Sequence, residues 1–126
     1  MLMAYVGEPR VLVVDDERII ADSLAMILSR NGFAARPAYS GEEAVRVAED
    51  WHPDVLISDV TMDSMNGFDT ARAVLMLLPQ CSVILISGHR TFEMFDRLGE
   101  EFEVLQKPVS PKTLLSKLKD LRKFKG

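Results

Sequence analysis

Short runs of β-branched and aliphatic residues alternate along this chain with longer segments of helical periodicity. The first run covers about residues 10–15, and near-continuous apolar runs of this kind form strands buried on both faces of a parallel sheet. A helix is predicted over residues 17–31, with Ile20, Leu24, Ile27 and Leu28 on its inner face and Gly32 as its C-cap. Residues 33–38 read as a weaker strand, and Pro37 places it at an edge. Ser40, with Glu43 three positions on, makes a capping box for a helix that reaches Trp51. Ala44, Val45 and Ala48 form its inner stripe, and His52-Pro53 closes it. Residues 54–58 are apolar throughout their middle and predict a central strand. A helix over residues 67–78 follows, burying Ala71, Val74, Leu75 and Leu78 until Pro79 stops it. A fourth strand at 82–86, a short helix at 91–98 carrying Phe92 and Phe95, and a fifth strand at 103–106 come next. Ser110 caps a last helix with Pro111 at its first position and Leu114, Leu115, Leu118 and Leu121 turned inward.

Five β/α units in 126 residues predict one α/β domain, with a core over about 10–124 and residues 1–9 as an extension. The right-handed crossover rule and a single switch point give a five-stranded parallel sheet in order 2-1-3-4-5 with helices on both faces. This is the flavodoxin-like (βα)5 arrangement. It sets the ends of strands one and three side by side, where ligands bind in open sheets of this kind.

Those strand ends carry the chemistry. Asp15 and Asp16 follow the first run, Asp59 the third, Ser87 the fourth, and Lys107 the fifth. Taken singly, each is an ordinary turn former, cap or surface residue. Together they put three carboxylates, a hydroxyl and a lysine on one rim. Carboxylates held that close repel one another unless a cation sits among them, and oxygen ligation with open positions suits Mg²⁺. A carboxylate can also act as a nucleophile toward a phosphoryl group, with Lys107 as a point charge and Ser87 as a hydroxyl donor.

Composition narrows the classes further. The net charge of −4 gives no general attraction to nucleic acid, and the lysines of the last helix read as a solvated face. Cys81 is the only cysteine, so neither an intrachain disulfide nor a cysteine metal site is expected. No apolar stretch approaches the roughly 20 residues of a membrane span, and a cytoplasmic location is the expectation.

The set Val-Leu-Val-Val-Asp15-Asp16-Glu17, Asp54-Val-Leu-Ile-Ser-Asp59, Met62 through Gly67, Ser87-Gly88 and Lys107-Pro108 resembles the receiver domain of bacterial two-component response regulators. The resemblance runs from Arg10 through Phe124. It implies that Asp59 is the phosphoacceptor, taking its phosphoryl group from a histidine kinase or phosphotransfer protein. It implies that Asp16 binds Mg²⁺ (or Mn²⁺) directly, Asp15 mainly through water, and Thr61 through its backbone carbonyl. Ser87 then resembles the switch hydroxyl, Gly88 leaves the phosphoryl group accessible, and Lys107 pairs with it across a bond to Pro108 that is often cis. Thr61 and His89 occupy the two positions that tune phosphoryl lifetime, and His89 implies a pH-sensitive dephosphorylation rate.

Two positions depart from the family pattern: Asp63 stands where a proline is usual, and Val104 stands at the switch-aromatic position, with Phe102 two residues earlier. They imply a readout through the fourth helix and its loops without coupling to an aromatic rotamer. The expected output is protein–protein contact by a monomer or weak dimer, standing alone without an output domain or enzymatic turnover of its own. Competing readings are a phosphorylation-independent interaction module, a small hydrolase using Asp59, and a flavin-binding flavodoxin. The last two lack, respectively, a lid and a Ser/Thr/Gly-rich phosphate loop.

Overall fold

A computed structural model of the chain describes residues 7–88 and 102–125. Five strands, β1 (Arg10–Val14), β2 (Ala34–Ala38), β3 (Val55–Asp59), β4 (Ser82–Ser87) and β5 (Glu103–Gln106), alternate with helices. The described helices are α1 (Arg18–Ser29), α2 (Gly41–Trp51), α3 (Gly67–Leu77) and α4 (Pro111–Lys125). All strand pairs are parallel, and the order is β2-β1-β3-β4-β5, as the crossover argument predicts. The helix predicted at 91–98 lies outside the described residues.

The two sheet faces bury separate cores. Val11, Val13, Ile57 and Ile84 face α1 and α4 through Ala25, Leu28, Leu114 and Leu118. Leu12, Val14, Leu56 and Leu85 face α2 and α3 through Ala44, Ala48, Phe68, Ala71 and Val74. Every residue of β3 is buried, so it is the central strand, whereas β2, with Pro37, lies at an edge. Pro37 has no N–H for a ladder, which an edge position tolerates.

Helix ends follow the local chemistry. Ser40 Oγ accepts the Glu43 N–H at 3.0 Å while Glu43 Oε1 accepts the Tyr39 N–H at 2.8 Å, a complete capping box. His52 takes φ 54 as the C-cap of α2. Asn66 caps α3 by accepting the Asp69 N–H at 2.9 Å, and Ser110 caps α4 through Thr113 at 3.1 Å. Gly32, at φ 94, supplies the left-handed turn after α1.

The inner face of α1 differs from the expected one. Ala21, Ala25 and Leu28 are buried, Leu24 and Ile27 are half-buried, and Ile20 is 40% exposed. Small alanines let the helix lie close to the sheet, and this rotation moves the larger side chains to its flank. There Ile19, Ile20, Leu24 and Ile27 line a groove of about 640 Å³ between α1 and the start of α4.

Candidate functional site

The backbone assembles the site before any side chain is considered. The Asp15 N–H donates to the Ala38 carbonyl at 3.1 Å, fixing the exit of β1 against β2. The Val60 N–H donates to the Ile86 carbonyl at 2.9 Å, and the Lys107 N–H to the Ser87 carbonyl at 2.7 Å. The exits of β3, β4 and β5 are thereby laced together. Asp59 and Ser87 are the last residues of their strands, where a loop position was expected for each.

Asp15, Asp16 and Asp59 each present a carboxylate oxygen within 4.8 Å of the other two. Lys107 Nζ lies 3.3 Å from Asp59 Oδ1. The Lys107–Pro108 bond is cis. Asp15 and Asp59 are buried, and burial pushes both carboxyls above the ordinary carboxylate range. At Asp59 the Lys107 charge pulls in the opposite direction, while Asp15 and Asp16 add to the upward push. At Asp15 the Glu17 N–H, donated to Oδ1 at 2.9 Å, and Lys107 offset part of the burial effect.

Ser87 is buried, and its hydroxyl donates to the Gly88 carbonyl at 3.1 Å. Thr61 is exposed two residues past Asp59. Val104 is half-buried and packs against the core that holds Phe102, whose ring centroid is 6.1 Å from that of Phe68. Asp63 is exposed and stands outside the carboxylate trio. His89 lies outside the described residues. The expected rim therefore comes together at Asp15, Asp16, Asp59 and Lys107, with Ser87 directly beside it in β4.

The sequence reading gave no individual role to three supporting residues. Ser58 is fully buried, and its Oγ donates to the Asp59 carbonyl at 2.9 Å. Gly67 donates its N–H to the Val60 carbonyl at 2.8 Å, and a Cβ there would run into the Asp59 carbonyl and Val60 Cα. Only glycine lets α3 start this close to the end of β3. Tyr39 reaches across the first turns of α1 to Arg18 and Asp22.

The donor set fits a hard divalent cation. Three clustered carboxylates, of which Asp15 and Asp59 are buried, sit beside Lys107, and oxygen-only ligation of this kind suits Mg²⁺. A five-stranded parallel sheet in order 2-1-3-4-5, with an acidic, lysine-bearing cleft at its switch point, defines a flavodoxin-like α/β domain. The chain belongs to the response regulator receiver domain family, whose pattern matches residues 11–119. It is similar to the chemotaxis protein CheY of Thermotoga maritima, 28% identical over 117 residues, covering 90% of this chain and 98% of that protein. It is 34% identical over 105 residues to the autoinducer 1 sensor kinase/phosphatase LuxN of Vibrio campbellii, covering 81% of this chain and 12% of that much longer protein. The crystal structure of chemotaxis protein CheY4 from Vibrio cholerae superposes with a TM-score of 0.81 at 30% identity, covering 90% of this chain and 98% of that one. Within the described residues, no helix is long and apolar enough to cross a membrane.

Proposed function

We propose that this receiver domain accepts a phosphoryl group on Asp59 from a phosphohistidine of a sensor kinase or phosphotransfer protein. The observation that carries the reading is the Asp59 carboxylate, 3.3 Å from Lys107 and within 4.8 Å of two further carboxylates at the sheet's switch point. An Asp59 oxygen bonds to phosphorus, the phosphorus–nitrogen bond breaks, and the imidazole leaves with the electron pair. Lys107 stays beside the new phosphoryl oxygens, and the Ser87 hydroxyl turns from the Gly88 carbonyl to donate to one of them. Asp15 and Asp16, with Asp59 and the Thr61 carbonyl, would hold Mg²⁺, which when bound offsets the charge of the incoming group. Water later attacks the phosphorus, and the bond to the Asp59 oxygen breaks, releasing phosphate and restoring the carboxylate. Thr61 and His89 are the two positions that tune the rate of that step.

The groove between α1 and α4 opens onto Asp59 and Lys107, so a donor's helix can rest on Ile19 and Ile20 while its histidine reaches the acid. The output is a change in protein–protein contacts by a cytoplasmic monomer or weak dimer, with no metabolite turnover. Val104 at the switch-aromatic position favours one second reading, an interaction module whose partner ignores the state of Asp59. Phosphoramidate, which carries the same phosphorus–nitrogen bond, tests the first reading by intact mass. The wild type is expected to gain one phosphoryl group in Mg²⁺, and neither wild type in EDTA nor Asp59→Asn is expected to gain any. Equal labelling of Asp59→Asn would overturn it.

A further inference from the structure

Helix α1 begins without a conventional cap. Glu17 occupies the N-cap position but makes no side-chain capping bond, and the first turn carries no acidic residue. A helix start left in that state frays readily. Asp16 sits immediately before it, half-exposed, and its carboxylate repels those of Asp15 and Asp59 close by.

Tyr39 spans the weak point. Its backbone is anchored on the far side, since its N–H donates to Glu43 Oε1 at 2.8 Å and Ala38, next in the chain, accepts the Asp15 N–H. Its side chain meets α1 twice. The Arg18 guanidinium stacks 4.4 Å from the ring centroid, and the hydroxyl donates to Asp22 Oδ1 at 2.5 Å. Arg18 and Asp22 are one turn apart, so the ring lies along the opening of the helix. Tyr39 and Asp16 also line the same small cleft of about 50 Å³.

We propose that Tyr39 is a positioning residue for the cation site, clasping the first turns of α1 so that Asp16 stays beside Asp15 and Asp59. The clasp substitutes for the missing cap. It also keeps the Arg18 guanidinium stacked on an aromatic face and away from the Asp16 carboxylate two residues upstream. This rests on the reading that the three aspartates hold a divalent cation.

Calorimetric Mg²⁺ titration of the full chain, with thermal unfolding in EDTA alongside, tests it on the wild type, Tyr39→Phe and Tyr39→Leu. Tyr39→Phe keeps the stack and loses the hydroxyl bond, so its Mg²⁺ dissociation constant is expected to rise about threefold. Tyr39→Leu loses both contacts and is expected to rise about tenfold. Both variants are expected to unfold within a few degrees of the wild type, because the contacts lie at the surface. Unchanged Mg²⁺ affinity in both variants overturns the role, including when their unfolding temperatures fall, since that pattern marks a structural contact only. A folded wild type that binds no Mg²⁺ would instead defeat the cation reading itself.

Discussion

Replacing Asp59 with Asn should stabilise the fold without metal and abolish most of the stabilisation that Mg²⁺ provides. The ionised Asp59 side chain, 11% exposed, faces one cation at 3.3 Å and two anions no farther than 4.8 Å. At an effective dielectric near 20, the Lys107 attraction is worth about 5 kcal/mol, and the two repulsions about 3.5 kcal/mol each at that outer distance. Repulsion therefore exceeds attraction by roughly 2 kcal/mol before burial adds its cost, which agrees with the raised pKa. Lys107 is 39% exposed and Asp16 is half-exposed, so solvent screening shrinks the attraction and the repulsions together, leaving a balance of about 1 kcal/mol. Asn keeps an acceptor for Lys107 and removes the charge. In EDTA at neutral pH, Asp59→Asn should unfold roughly 3–5 °C above the wild type.

The pH dependence has a definite sign. A carboxyl whose folded pKa lies above its unfolded value binds its proton more tightly in the native state. The stability it contributes is then fully present below the unfolded value, about 3.9, and is lost as pH rises through the raised folded value. Asp59 and Asp15 both behave this way. The advantage of Asp59→Asn should therefore shrink as pH falls from 7 toward 4. Adding Mg²⁺ at a hundredfold its dissociation constant should raise wild-type stability by about 2.7 kcal/mol and reverse the order. Differential scanning fluorimetry across pH, with EDTA or Mg²⁺, reads all three effects. An Asp59→Asn protein less stable than the wild type in EDTA would refute the electrostatic reasoning.

Gly67→Ala drives a Cβ into the backbone of Asp59 and Val60, where no flexible side chain can yield, so urea denaturation should show a loss of about 1–3 kcal/mol. Phosphoryl uptake by the same variant should fall with it. Phe102→Ala should cost about 3–5 kcal/mol, because the ring is buried against Phe68, while the half-exposed Val104→Ala should cost about 1 kcal/mol. Equal losses at the two positions would contradict the placement of Phe102 in the core. Ser40→Ala should lose about 1 kcal/mol through the capping box of α2, with Mg²⁺ binding little changed.

Where local chemistry decides the outcome, the sequence was a reliable guide. The β-branched runs, Pro37 at an edge, the Ser40–Glu43 box and Ser110 all mark features found in the fold, and strand order follows from chirality. The acid and lysine positions were legible because each follows its own strand run. What stayed hidden depends on how elements sit against one another. The alanine face of α1 replaces the larger stripe because close approach to the sheet favours small residues, a fact that periodicity alone does not contain. Phe68 and Thr70 are fully buried where α3 meets the sheet and α2, although hydrophobic spacing pointed to Leu75 and Leu78, which are half-buried. Tyr39 offered the weakest signal. An aromatic between a strand and a capping box is unremarkable until the fold brings Arg18 and Asp22 beneath it.

The most direct test of the central claim is the position of the phosphoryl group. Borohydride reduces an aspartyl phosphate to a homoserine residue, which peptide mass spectrometry locates in the chain. After labelling with phosphoramidate and Mg²⁺, homoserine is expected at position 59 alone. Homoserine at position 15, 16 or 63, or a stable phosphoryl group on a serine or histidine, would contradict it.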